Sequence, residues 1–531
     1  MNTTAIRTRR VRRGRGRSPH LCRCAAFAVG FALVCSAGAA NTYYVNSAGG
    51  SDGNDGLSRG APWKSLAKVN AFRFGPGDRV LFSAGSRFAG QLRLQGSGTE
   101  SSPIIVDMYG EGDKPLVAAE GKYPEALLVE NQDYLEFNNL QFTNSGATRE
   151  PKRYGVRVRA WDHGTMRHIH LKSLVVRDVN GSLVKRDNAE GHGIVWERGG
   201  NKIESRFDGL LIEGCRLVRT DRNGICGYTP YQAAKARAFP SLNVVIRKNL
   251  LEDIGGDGIK VWGARGALVE HNVLRGARQR CDDYAAGIWP WASDNTLIQF
   301  NEVSGVKGMK DGQAFDSDAY TSNTTFQYNY THDNDGGFML VCCFENKGTV
   351  IRYNISQNDR TRLFHMAGSN EDVRIYNNVF YVGPGIDIDL FLWTSGPGGW
   401  TRRAHIANNI FYIAGVGRNS SGEKRKPIND GTHISQPGFG GASDIMFERN
   451  ILYGNFEGVP EAWKKMLADP KLVAPGSGKD GFDSAGGYKL RDGSPGIGAG
   501  TPVPDNGGRD FWGNRLPAGT NPAIGAHERG R

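Results

Sequence analysis

Between residues 125 and 455 the apolar positions keep no helical period. A four-residue unit, apolar-x-x-Asn, recurs instead: Ile246…Asn249, Val269…Asn272, Ile298…Asn301, Phe326…Asn329, Ile351…Asn354, Ile375…Asn378 and Ile406…Asn409. Successive asparagines lie 23, 29, 28, 25, 24 and 31 residues apart. Cys215 closes an earlier unit that starts at Ile212. Each unit is followed by a β-prone run, a Gly/Asp-rich turn and another β-prone run. A repeat of this length with two or three short strands is one coil of a parallel β-helix. Stacked coils place equivalent residues about 4.8 Å apart. A buried asparagine then finds partners above and below, which predicts a structural ladder. Variable coil lengths mark loops inserted on one side, commonly the binding side of a solenoid.

The ends of such an array need caps. Residues 42–46 read as a strand, 50–56 as a turn, 62–69 as a short helix plugging the open end, and 76–82 as a returning strand. At the other end 460–467 reads as a helix and 471–531 as a loop-rich tail. The opening Tyr43-Tyr44-Val45-Asn46, Gly50-Ser51-Asp52 and Pro76-Gly77-Asp78-Arg79-Val80 form one group of motifs. The closing Gly493-Ser494-Pro495-Gly496-Ile497-Gly498-Ala499-Gly500 and Ile524-Gly525-Ala526-His527-Glu528 form another. Together with the Asn-bearing coils they resemble the pectate-lyase-like superfamily of right-handed parallel β-helix proteins. The resemblance implies an all-β, right-handed parallel β-helix solenoid with an N-terminal cap helix and a loop-rich C-terminal tail. Four segments follow: an export signal (1–40), a capping region (41–120), the β-helix catalytic domain (121–455) and a C-terminal capping segment (456–531). The superfamily is carbohydrate-active but holds lyases, hydrolases, epimerases and adhesins, so it does not choose the reaction.

Coil alignment brings one face together. The runs 193–197, 224–228, 258–262, 287–291, 314–318 and 337–341 stack, and strand side chains alternate between faces. Ile194, Ile225, Ile259, Ile288, Phe315 and Phe338 are expected inward. One outward column is Arg157, Val195, Cys226, Lys260, Trp289, Asp316 and Met339. The other is Arg159, Glu197, Tyr228, Trp262, Trp291, Asp318 and Val341. Loops at 276–284 and 306–313 would wall this groove.

Asp316 and Asp318 project from one strand on one side, about 6.5–7 Å apart at Cα. Inverting glycosidases hold two carboxyls about 6.5–9.5 Å apart. The two are therefore the first candidates for acid and base, with Asp283 in reserve. Lys260, Trp262, Trp289, Trp291, Tyr228, Glu197 and Arg159 would hold the sugar. A hydrolase of this kind needs no cofactor. A lyase or uronate epimerase would use Lys260 as base, Arg157 and Arg159 as carboxylate clamps, and Ca²⁺ on Asp316 and Asp318. A non-catalytic glycan-binding β-helix is the third reading. His332 lies in a turn sequence, His332-Asp333-Asn334-Asp335-Gly336-Gly337, and is read as turn-forming.

Charge narrows the partners. Removing the eight arginines of residues 1–40 from 66 basic residues leaves 58 against 54 acidic ones. That balance excludes a nucleic-acid binder with a clustered basic face. The basic stretch to Arg23, the short apolar run from Cys24 and the small residues 36–40 read as an export signal. No later segment is apolar enough to span a membrane, so a periplasmic or secreted monomer acting on a polysaccharide or oligosaccharide is expected. Five cysteines follow the signal: Cys215, Cys226, Cys281, Cys342 and Cys343. Five is odd, so at least one thiol is unpaired or pairs between chains, and one bridge, from Cys281 to Cys342 or Cys343, is compatible with an oxidising compartment.

Overall fold

The computed structural model describes residues 40–185, 190–418, 441–457 and 463–529. The chain winds as a right-handed parallel β-helix whose coils each add a strand to three faces. One coil supplies Ser241–Arg247 to the first face, Leu250–Ile254 to the second and Ile259–Trp262 to the third. The next lays Leu268–Glu270, Val273–Arg275 and Ile288–Trp291 on them, all parallel.

The asparagine ladder turns the corner between the first and second faces. Asn249 Nδ2 donates to Asn272 Oδ1 at 2.9 Å, Asn272 to Asn301 at 2.9 Å, and Asn301 to Asn329 at 3.1 Å. The chain of bonds continues through Asn354, Asn378 and Asn409 to Asn450. Cys215 stands at its head, its N–H donating to Asn249 Oδ1 at 2.9 Å. The residue before each amide is left-handed, with φ of 56° at Lys248 and 54° at His271 and Phe300. This tight corner aims the amide inward, where every polar atom is met by a neighbouring coil.

On the third face Ile194, Ile225, Ile259, Ile288 and Phe315 stack in register and are fully buried. The stack then departs from the sequence alignment, because Phe315 pairs with Met339 and not with Phe338. Gly337 is the cause: it pairs with Gln313, has φ of 117°, and approaches the Arg362 carbonyl so closely that a Cβ would lie 1.7 Å from it. Its positive φ and its place opposite Gln313 set it apart from Gly258 and Gly287, which directly precede the stacked isoleucines and also lie close to a backbone carbonyl. A one-residue slip exchanges faces. Met339 and Val341 therefore sit in the core, and Leu340 and Cys342 take their outward places.

The N-terminal plug is α1 (Leu66–Ala71), whose N-cap Ser65 accepts from the Lys68 N–H at 3.2 Å. Leu66 and Val69 turn inward onto Tyr43, Trp63 and Phe74. At the other end Lys465–Leu467 is a strand, not helix, because it pairs with the open edge of Asn450–Glu457. Residues 460–462, the start of the expected helix, lie outside the described residues. The tail then packs Leu472, Ala485, Tyr488, Phe511 and Ile524 against Tyr330, Ile355, Val379 and Ile410 of the second face. All five cysteines are free thiols, so no bridge joins Cys281 to Cys342 or Cys343. Among the described residues no helix is long and apolar enough to cross a membrane. The export signal, apart from Ala40, lies outside them.

Candidate functional site

The outward columns of the third face form largely in the expected register. Arg157, Val195, Cys226, Lys260 and Trp289 stand one above another. Arg159, Glu197 and Tyr228 do the same, and Trp262 stands beside Trp291. The face is nevertheless not one open groove. At its early end Arg157 binds Glu197 Oε2 at 2.5 Å and Arg159 binds Glu130 at 2.8 Å while lying over the Trp161 ring. Arg159 and Glu197 thus belong to a charge lattice between strands.

The tryptophans are covered by an inserted helix, α2 (Ala233–Ala238). Trp262 and Trp291 pack on a cluster formed by Tyr231, Ala233, Ala236 and Ala292. Their rings continue an edge-to-face series: Tyr228 to Trp262 at 5.3 Å, Trp262 to Trp291 at 4.7 Å, Trp291 to Tyr320 at 5.4 Å. Both stay half-buried, so they present edges and not open stacking platforms.

Lys260 is 1% exposed. Its Nζ lies 3.8 Å from Glu190 Oε2, 5.1 Å from the Trp262 ring centre and 5.4 Å from that of Trp289. Burial works to lower its pKa, but Cys226, Glu190 and Asp257 outweigh it and hold it above the ordinary lysine value. An enclosed, firmly protonated lysine cannot take a substrate proton, which removes it from the role of lyase base. Trp289 is enclosed too, donating through Nε1 to Asp257 Oδ1 at 3.0 Å. Asp257 also accepts the Ala286 N–H at 3.0 Å and faces Arg222 at 3.4 Å. Burial pushes Asp257 up, while Arg222, Lys185 and Lys260 prevail and keep it below the usual carboxyl value. Arg222 is fully buried and its other arm holds Asp283 at 3.1 Å. Asp283 is therefore an ion-pair partner in the wall loop.

Beside this charged floor three carboxyls meet. Asp316 ends the strand Gln313–Ser317, is 3% exposed, and its Oδ1 is buried without a hydrogen-bond partner. Burial, then the charges of Asp318 and Asp311, push its pKa well above the ordinary value. Asp318 is half-buried. Its Oδ1 accepts the Ala319 N–H at 2.6 Å and the Cys342 thiol at 3.3 Å. Asp311 comes from the 306–313 loop and keeps part of its surface open. Dense surrounding protein, opposed by Lys185 and reinforced by Asp318, pushes it up to about 6. Arg362, itself fully buried, fixes that loop by donating to the Met309 and Asp311 carbonyls at 3.3 and 3.1 Å. Lys185 reaches over the Trp289 ring at 5.6 Å and supplies the nearby positive charge.

The arrangement offers proton transfer from a carboxyl raised toward neutrality on a partly exposed residue, with the charge of a second carboxyl acting on it. The strand alignment found Asp316 and Asp318 but missed Asp311. A usable signal was there, since Asp311 lies in the loop that the coil lengths had marked as a wall. Asp257, Arg222, Arg362 and Lys185 carried no pattern. His332 stands on the second face, away from this cluster, with Nδ1 3.0 Å from Asp333 Oδ2.

Residues 208–380 match the family described as right handed beta helix region. The chain is 30% identical to a lacto-N-biosidase of Bifidobacterium longum subsp. longum, aligned over 92% of this chain and 36% of that protein. It is similar to the crystallised GH136 lacto-N-biosidase from Eubacterium ramulus. The native crystal gives 31% identity and a TM-score of 0.57, over 65% of this chain and 64% of that one. The selenomethionine derivative gives 30% and 0.60, over 70% and 67%. The chain thus spans about a third of the curated relative and about two thirds of the crystallised one. XylC, in complex with xylose, shares the fold at 11% identity and a TM-score of 0.51.

Proposed function

The chain belongs to the GH136 family of right-handed β-helix proteins, and from that premise we propose that it is a glycoside hydrolase. Its site is the cluster of Asp311, Asp316 and Asp318. Asp311 donates a proton to the departing glycosidic oxygen. Asp318 is the second carboxylate, attacking the anomeric carbon or activating water. Asp318 raises Asp311 by its charge, and Asp316, buried beside them, is itself raised by both. The observation that carries this reading is Asp311, partly open and pushed up to about 6 beside two other carboxyls. A carboxyl with that value is half protonated in mildly acidic to neutral water, where a general acid works best.

The same cluster argues against a lyase. Uronate elimination needs a base and a cation that touches the substrate carboxylate. Lys260 and Arg222, at 1% exposure or less, are tied to Glu190 and Asp257. At the cluster Asp311 and Asp318 keep part of their surface open beside the exposed Lys185, so the open face carries two acids against one cation. The substrate is therefore a neutral glycan, reached by an exported protein. A glycan ending in lacto-N-biose, the unit in the relatives' name, is the first to try.

Release of lacto-N-biose from a chromogenic glycoside and from a neutral oligosaccharide is the test. Asp311→Asn and Asp318→Asn are each expected to lower kcat by roughly a thousandfold or more, with Tm not reduced. Ultraviolet absorbance from a new C=C bond should not appear. Turnover within tenfold of wild type in either variant would place the chemistry elsewhere.

A further inference from the structure

A separate cluster lies where the C-terminal tail crosses the second face. Glu302, on the strand Glu302–Ser304, and His332, on the adjacent strand Tyr330–His332, are 1% and 5% exposed. Asp480 comes from the tail, and the next residue, Gly481, donates its N–H to Glu302 Oε2 at 3.0 Å. His332 Nε2 stands 3.7 Å from Glu302 Oε1 and 3.7 Å from Asp480 Oδ1. The three atoms lie within 4.8 Å of one another.

Those separations are too long for hydrogen bonds, which need about 2.7–3.2 Å. Glu302 Oε1 and His332 Nε2 are both buried without a hydrogen-bond partner. An orphaned carboxylate oxygen facing an orphaned ring nitrogen is costly unless a third body lies between them. Ligands held about 2.0–2.2 Å from one cation at tetrahedral to trigonal angles stand about 3.3–3.8 Å apart, which matches both separations from His332 Nε2. The other ring nitrogen is already oriented, since Nδ1 lies 3.0 Å from Asp333 Oδ2. A carboxylate on the far nitrogen is what fixes a metal-binding imidazole, leaving the Nε2 lone pair toward the metal. Arg275 flanks the cluster, 3.5 Å from the other Asp480 oxygen and 3.8 Å from Glu302 Oε1. Being 41% exposed along its side chain, it has room to swing outward.

We propose that Glu302, His332 and Asp480 bind one divalent transition-metal ion of the zinc type, fastening the tail to the solenoid. One imidazole and two carboxylates suit such an ion, and three protein ligands leave a place for water. The ion is structural and stands apart from the carboxyl cluster on the third face.

The test uses untagged mature protein, stripped with chelator and titrated with Zn²⁺ alone by calorimetry near neutral pH. One Zn²⁺ per chain should bind, with a higher Tm and slower proteolytic cutting in the tail. Asp480→Asn and His332→Gln should each weaken binding roughly tenfold or more. Asp480 is a surface residue, so its variant tests the site even if His332→Gln does not fold. No stoichiometric binding by folded wild-type protein overturns the proposal. So does binding undiminished in Asp480→Asn, which would point to the free thiols or to Glu136, His168 and His170.

Discussion

Replacing Asp311 by asparagine should inactivate the protein and stabilise it in one step. The carboxyl stands at about 6 in the folded chain against an ordinary 3.8. That gap of about 2.2 units corresponds to about 3 kcal/mol, with 1.36 kcal/mol per unit. The sign follows from proton binding. Below about pH 4 Asp311 is protonated in folded and unfolded chains alike, and it costs nothing. Between about pH 4 and 6 the folded chain holds the proton more firmly, so stability falls as pH rises. Above about pH 6 both states are ionised and the full penalty, up to about 3 kcal/mol, remains. Asp311→Asn removes the ionisation and keeps the shape. Denaturant midpoints across pH should show the variant more stable than wild type near pH 7.5, with the difference fading toward pH 4. In parallel, kcat/KM of wild type should fall on an alkaline limb near pH 6. A stability difference that does not change with pH, or a variant less stable at pH 7.5, would refute the assignment of Asp311 as the strained acid.

Three further outcomes follow from the packing. Asn301→Leu removes the acceptor of the Asn272 N–H (3.0 Å) and the donor to Val269 O (3.0 Å) in a dry corner, so thermal or denaturant unfolding should show a loss of about 2–5 kcal/mol. Lys260→Met removes one of two buried cations beside Glu190, at 3.8 Å, and leaves Arg222 at 4.0 Å, so it should cost about 1–3 kcal/mol while the folded fraction keeps kcat within tenfold; turnover abolished with Tm intact would restore the lysine as a base. Arg362→Lys cannot fork to the two loop carbonyls, so kcat should drop roughly 10–100-fold with KM little changed, measured by steady-state kinetics.

What could be read from the chain was whatever repeats. Asn249 to Asn409 announce themselves because each coil solves the same corner with the same amide, and Cys215 fits the frame even with its side chain changed. Ile194 to Phe315 follow for the same reason, since strand alternation carries one face from coil to coil. Reading fails where one coil departs from the pattern. Gly337 looks like Gly258 but takes a positive φ and pairs one residue earlier, opposite Gln313, and that shift moved Met339 and Val341 into the core. Trp262 and Trp291 look like sugar platforms until the six residues of α2 close over them, a contact set by tertiary packing alone. Asp311 lies ahead of the strand Gln313–Ser317, joined to the neighbouring coil by a single bridge to Ala285. Its distinction comes from its surroundings, because nothing in Lys310-Asp311-Gly312 tells that carboxyl from any other loop aspartate.

The division of the site between strand and loop has a physical logic. Asp316 and Asp318 are fixed by register, and a solenoid cannot move them without shifting a whole coil. Asp311 must approach them against charge repulsion. A free loop would relax away; this one is held by the backbone bridge from Asp311 to Ala285 and by buried Arg362, which donates to the Met309 and Asp311 carbonyls. Beneath them the fold leaves Lys185 as the exposed cation nearby and seals Lys260 and Arg222 away from solvent, tying Lys260 to Glu190 and Arg222 to Asp257. Placed there, they offset part of the carboxylate field without offering a hand to an acidic sugar. If they reached the surface, the same residues would suit elimination chemistry. Enclosed, they leave proton donation from Asp311 as the chemistry within reach.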